Sequence, residues 1–219
     1  MKKVYFNTTQ NHGLCGVFSG RGSAVIIYCH GWTGDKNSRT VAALKNKLNG
    51  FTFFSFDFYG HGESSGQIGD MTVKEGIEDV MAAAKCVKSL GYAKIVLVGS
   101  SFGGLCAVLA AKKVKPAALV LKSPVSLYKE NMLNNKGKEF IKSYKIYNAH
   151  KAAKYVKCPV LIFHGDRDER VPLEQSKRLA RELKNSELVV VKGMKHDYTK
   201  RNLAAMANET GKFLEQIKL

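Results

Sequence analysis

The amino-acid sequence predicts an α/β fold with a mostly parallel central sheet and helices on both faces. Three observations carry that reading. Short, continuous apolar runs recur along the chain, as strands buried on both faces require. Helical periodicities fall between them, which is the alternation of a crossover-connected sheet. The chain has 219 residues, enough for one large core and few for two. Residues 1–219 are therefore expected to form a single domain.

Taken in order, residues 3–7 and 14–18 read as short strands separated by Asn11-His12-Gly13, a turn. Their short connection predicts an antiparallel pair. Residues 24–29 (AVIIYC), 51–56, 95–98 (IVLV), 117–121, 160–163 (VLIF) and 188–191 (LVVV) are the buried strands of the parallel part. Residues 40–48, 73–90, 103–113, 173–183 and 202–217 read as helices. In the longest, Val73, Ile77, Val80, Ala84, Val87 and Leu90 recur at three- and four-residue spacing. Residues 123–157 break the rhythm and read as a short helical cap, bounded by Ser123-Pro124 and Cys158-Pro159. An insertion at that point lies beyond the C-terminal edge of a parallel strand, where open α/β sheets bind ligands.

Hydrophobic residues make up 45% and charged residues 24% of the chain, a balance that excludes whole-chain disorder. The formal net charge of +17 would suit nucleic acid, anionic membranes or acidic substrates. The sequence lacks an Arg-rich cluster interleaved with aromatics and any zinc-finger or RNA-binding signature, so nucleic acid is not the expected partner. Five cysteines, Cys15, Cys29, Cys86, Cys106 and Cys158, are odd in number and fit neither a zinc site nor a disulfide scaffold. Most read as small buried hydrophobes in a reducing compartment. The N-terminal segment lacks the apolar stretch of a signal peptide, and no run approaches membrane-spanning length. The expectation is a cytoplasmic protein without metal or organic cofactor. A small-molecule ester is its expected partner, not a membrane, and a homo-oligomer is left open.

The chemistry gathers at the strand ends. Gly99-Ser100-Ser101-Phe102-Gly103 fits G-x-S-x-G and lies between the strand IVLV and a small-residue helix, the context that motif requires. Ser101 would sit on a strained turn at a helix N-terminus, with its hydroxyl free to act as nucleophile. Such a hydroxyl needs a base. In the chain order serine, acid, histidine, the candidates after Ser101 are His150, His164 and His196. His164 ends a strand and His150 lies in the cap. His196, in the loop after LVVV, is the favoured base. The acid belongs to Gly165-Asp166-Arg167-Asp168-Glu169-Arg170, where physics alone does not choose between Asp166 and Asp168. Two backbone amides should hold an oxyanion. Phe102 N–H follows the nucleophile, and Trp32 N–H follows the strand AVIIYC. His30, Asp57 and the loop Tyr59-Gly60-His61-Gly62-Glu63-Ser64 read as structural.

These segments together resemble the serine-hydrolase branch of the α/β-hydrolase superfamily: HGWTGDK (30–36), FDFYGHGESSG (56–66), GSSFGG (99–104), HGDRDERVP (164–172) and GMKHDY (193–198). The chain is similar to small bacterial and archaeal carboxylesterases, including the cinnamoyl/feruloyl esterase type. The resemblance implies an α/β-hydrolase fold, here with a cap shorter than that of typical feruloyl esterases, and an aspartate third after the glycine in H-G-x-x-D-x-x-V-P. That position is Asp168. It also implies a serine esterase that cleaves short-chain or aromatic acyl esters through an acyl-enzyme, with Ser101, Asp168 and His196 as triad. The alternatives are a thioesterase or small peptidase with the same triad, or a non-catalytic ligand-binding relative. Residues 122–157 hold nine lysines and two glutamates. Phe140, Ile141, Tyr144, Ile146 and Tyr147 are expected to line the cap's underside, with the lysines outward.

Overall fold

A computed structural model describes residues 2–219. Its eight strands are β1 (Lys2–Asn7), β2 (Gly13–Ser19), β3 (Ala24–Cys29), β4 (Thr52–Phe56), β5 (Lys94–Ser100), β6 (Ala118–Lys122), β7 (Val160–Gly165) and β8 (Ser186–Val191). They form one sheet in the order β1-β2-β4-β3-β5-β6-β7-β8. β1 pairs antiparallel with β2, and β2 with β4; all later pairings are parallel. All six residues of β3 and of β7 are buried, which is why these strands read as unbroken apolar runs.

The helices are α1 (Arg39–Lys47), α2 (Val73–Ser89), α3 (Phe102–Val114), α4 (Lys138–Ser143), α5 (Ala149–Ala153), α6 (Leu173–Glu182) and α7 (Lys200–Gln216). Polar caps mark where several start. Ser38 accepts a hydrogen bond from the Thr40 amide, Thr72 from Lys74 and Thr199 from Asn202. α1 and α7 cover one face, where Val41, Leu44, Leu203 and Met206 meet Ile26, Val96 and Val120. α2, α3, α5 and α6 cover the other, where Val80, Val87, Leu105, Val108 and Leu179 meet Val25, Leu97 and Leu119. Each face thus removes one set of alternating strand side chains from water.

The sheet order positions the site. From β3 the chain steps one way to β4 and then crosses back to place β5 on the other side. Loops leaving β3 and β5 therefore diverge and leave a crevice at the strands' C-terminal ends. Between β6 and β7 lies a segment built of a 3₁₀ turn (Glu130–Met132), α4, a second 3₁₀ turn (Tyr144–Ile146) and α5. It is fastened to α6. Gln175 Oε1 accepts from Ser126 N at 2.8 Å, and His150 bonds Ser126 Oγ at 2.9 Å and Glu182 Oε2 at 2.7 Å. The expected apolar underside needs correction. Phe140 and Tyr144 are buried, but Ile141 is 46% and Ile146 75% exposed. The turns of this segment are too short to present one continuous face.

Candidate active site

Ser101 occupies the turn between β5 and α3 with φ 52° and ψ −114°, a conformation that side chains other than hydrogen rarely adopt. Surrounding bonds hold it there. Its amide donates to the Lys122 carbonyl at 2.9 Å, and its carbonyl accepts from Gly104 at 3.0 Å and Val125 at 3.1 Å. The turn closes only because its flanking residues lack side chains. A Cβ on Gly99 would stand 2.6 Å from Gly103 O, and one on Gly103 would stand 2.2 Å from Cys29 O. Phe102, wholly buried, is the first residue of α3, so its N–H has no acceptor within the helix.

The loop after β3 lies alongside. A Cβ on Gly31 would stand 3.5 Å from Ser101 Cβ, so Trp32 follows the point of closest approach to the Ser101 turn. Its ring meets Phe102 at 5.2 Å and Phe140 at 5.1 Å between centroids, both edge-to-face. Burial pushes the neighbouring His30 down to about 4, against the opposing bond to Gly31. Its Nδ1 bonds Gly31 O at 2.7 Å, and Nε2 accepts from Phe58 N at 3.0 Å. His30 is thus a neutral brace between two loops.

Asp168 and His196 meet across the loops after β7 and β8. His196 Nδ1 lies 2.7 Å from Asp168 Oδ2, with the carboxylate side chain fully buried and the imidazole 11% exposed. Asp168 Oδ1 accepts from Arg170 N at 3.0 Å and Val171 N at 2.9 Å. His164 Nε2 stands 3.4 Å from Oδ2 and bonds Val171 O at 2.9 Å. Burial alone would raise the Asp168 carboxyl, but the bonds from His164, His196 and Val171 outweigh it and hold it well below the usual carboxylate range. Asp166 does a different job: its Oδ1 accepts from Gly193 N at 2.5 Å and ties down the loop that carries His196.

Ser101, Trp32 and His196 line one cleft of about 960 Å³, walled also by Val125, Tyr128 and Met132 of the segment after β6. Lys122 and Lys136 line it too. Lys136 departs from the expectation that the cap lysines face outward, whereas Lys129, Lys138, Lys142, Lys145, Lys151, Lys154 and Lys157 are exposed as expected. Lys122 ends a strand of otherwise apolar residues and pairs in register with Ser100; a cation at that place was the available signal. Among the described residues, Cys15, Asp57 and Glu63 are close enough to share an ion. Lys36 Nζ already bridges Asp57 Oδ2 at 2.5 Å and Glu63 Oε1 at 2.9 Å, and Lys3 Nζ meets Glu63 Oε2 at 2.6 Å, so the two carboxylates of this cluster are charge-compensated. No helix among the described residues is long and apolar enough to cross a membrane.

Comparison with known proteins agrees with this fold. Residues 24–133 match the alpha/beta hydrolase fold family, and residues 139–219 match the TAP-like protein family. A Mycobacterium tuberculosis protein, Rv2307c, is 28% identical over 183 residues, 81% of this chain; the chain spans 64% of that relative's length. The mitochondrial palmitoyl-protein thioesterase ABHD10 of Rattus norvegicus is 26% identical over 213 residues, covering 82% of this chain and 70% of the relative. Among solved structures, Est1E from Butyrivibrio proteoclasticus with bound ferulic acid superposes with a TM-score of 0.88 at 25% identity, covering 99% of this chain and 100% of that one. The Pyrococcus furiosus esterase Pf2001 gives 0.83 at 25% identity, covering 98% and 91%. With a strained serine turn after β5, a strand order that reverses beside it and a family match across half its length, the chain belongs to the alpha/beta hydrolase fold family.

Proposed function

We propose that this protein is a serine hydrolase that cleaves carboxylic esters through an acyl-enzyme. The reading rests above all on the 2.7 Å bond between His196 Nδ1 and Asp168 Oδ2, in the cleft that Ser101 lines. Ser101 Oγ attacks the ester carbonyl as His196 Nε2 takes its proton. The Asp168 carboxylate keeps the Nδ1–H tautomer and stabilises the imidazolium. Trp32 and Phe102 amides receive the oxyanion, aided by the N-terminus of α3. The imidazolium then protonates the departing alkoxide. Water attacks the acyl-serine as His196 takes its proton; the imidazolium returns that proton to Ser101 Oγ as the C–Oγ bond breaks, and the carboxylic acid leaves.

Short or aromatic acyl groups suit a cleft walled by Trp32 and Tyr128, and a solved relative holds ferulic acid. A thioester is the second reading, favoured by the likeness to a palmitoyl-protein thioesterase; the same groups would serve it. A fluorophosphonate probe should label Ser101 and not the Ser101→Ala variant, and a panel of esters, thioesters and amides ranks the substrates. Failure to label the intact protein would sink the serine-hydrolase reading.

A further inference from the structure

The cleft contains cations that no carboxylate matches. Lys122 is only 6% exposed. Its Nζ donates to the His196 carbonyl at 3.2 Å and stands 4.4 Å from the centre of the Tyr198 ring. Lys136 reaches in from the segment after β6, 3.9 Å over the Trp32 ring and within 6 Å of Tyr128 and Phe140. Arg39, at the start of α1, lines the same cleft. Among the described residues, none of these three joins an ion pair. The other charged groups at the rim are already matched, Arg170 with Asp197 at 2.8 Å and Glu169 with Lys195 at 3.3 Å.

An ammonium withdrawn from water without a counter-ion carries a free-energy cost. Burial pushes Lys122 down to about 8, although Asp197 and Asp168 pull it back in part, and burial pushes Lys136 down to about 8. Bracing the His196 loop uses one of the three N–H donors of Lys122. Beside it the Tyr198 hydroxyl is buried, with only the Ser123 hydroxyl near it. Aromatic faces favour the Lys136 cation only modestly. A cleft with this inventory is complementary to a negative charge on its occupant.

We propose that the preferred substrate is an ester bearing a carboxylate besides its scissile group, with that carboxylate held by Lys122 and Lys136. The inference rests on the serine-hydrolase reading and specifies its substrate class. The anion compensates the desolvated ammoniums, buried at Lys122 and half-buried at Lys136, raises their proton affinity and orients the scissile carbonyl toward Ser101. Because the two lysines approach from different walls, the length of the spacer between the two carbonyl groups should matter.

The test compares methyl half-esters of dicarboxylic acids, from succinate to suberate, with chain-matched neutral methyl esters. Wild type should show a higher kcat/KM for at least one half-ester than for its neutral match. Lys136→Met and Lys122→Met should each lower that anionic-to-neutral ratio by about tenfold or more, the range for a hydrogen bond to a charged group. Lys136→Arg should keep a ratio above one. If Lys122→Met fails to fold, Lys136 on the more exposed segment carries the test alone. Fluorophosphonate labelling of Ser101 in the same preparations separates the two levels. No labelling removes the hydrolase reading and this inference with it. Labelling with a ratio of one across the series, or a ratio unmoved by the lysine substitutions, overturns the inference alone.

Discussion

Asp168→Asn is the substitution that asks most of the proposed triad. Asp168 Oδ1 accepts from two backbone amides, Arg170 at 3.0 Å and Val171 at 2.9 Å, whereas Oδ2 faces His196 Nδ1 at 2.7 Å. An asparagine keeps its carbonyl oxygen on the side with two donors, because turning it would leave both amides facing an NH₂ group. The NH₂ then faces His196. Nδ1 must accept, its proton moves to Nε2, and the nitrogen facing the cleft is no longer a base. That tautomeric error is worth about 10³–10⁴ in kcat/KM, or ~4–5.5 kcal/mol of transition-state stabilisation. Asp166→Asn is the control. Its Oδ1 serves the Gly193 amide at 2.5 Å, an amide carbonyl can do the same, and the loss should stay within about threefold. Hydrolysis of 4-nitrophenyl acetate measures both, and proton NMR should show the downfield Nδ1–H signal only in wild type and Asp166→Asn. Equal losses at the two positions, or less than tenfold at Asp168, would refute the assignment. A thermodynamic signature accompanies it. The folded-state pKa of Asp168 lies below the unfolded value of about 3.9, so its stabilisation is present above about pH 4 and is lost as pH falls further. Melting temperature on the acid side should therefore fall less steeply in Asp168→Asn.

Three other perturbations test neighbouring parts of the argument. Ser101→Ala should remove turnover by several orders of magnitude without a gain in stability; Ser101→Gly should be equally inactive but more stable by about 1–3 kcal/mol, because φ 52° and ψ −114° suit glycine, and equal melting temperatures would remove the strain. Asp79 is fully buried, with Oδ2 accepting from Tyr59 N at 2.8 Å and Oδ1 unpartnered. Burial pushes it up to about 8, so the protonated form is favoured in the fold and stability is lost as pH rises from about 4 toward 8. Asp79→Asn should accordingly raise the melting temperature at pH 8 and leave it near wild type at pH 4; the reverse pattern would contradict the sign. Phe140→Ala removes a buried ring in edge-to-face contact with Trp32 at 5.1 Å and Tyr128 at 5.0 Å. It should cost about 3–4 kcal/mol by denaturant titration and raise KM, whereas a loss under 1 kcal/mol would mean the segment rests on other contacts.

The fold was legible in the sequence because its information is periodic and local. A parallel strand covered on both faces must be apolar throughout, so residues 24–29 and 160–163 announce themselves. The turn at Ser101 was legible for a similar reason, since a strand, a glycine-flanked serine and a small-residue helix adjoin in the chain. Tertiary structure was needed wherever two distant segments converge. Asp166 and Asp168 are chemically alike and two residues apart. Only the approach of the loop after β8 gives one the His196 imidazole and the other the Gly193 amide. The same holds after β6, where a lysine-rich stretch with scattered apolar residues has no dominant period. Its packing sends Ile141 and Ile146 to solvent and turns Lys136 onto the Trp32 ring. Sequence determined which elements form and in what order, because each is stabilised mainly by its own pattern of exposed and buried positions. The electrostatic partners of individual side chains were decided only in three dimensions, because Coulombic and hydrogen-bond energies depend on distances of a few ångströms between residues far apart in the chain.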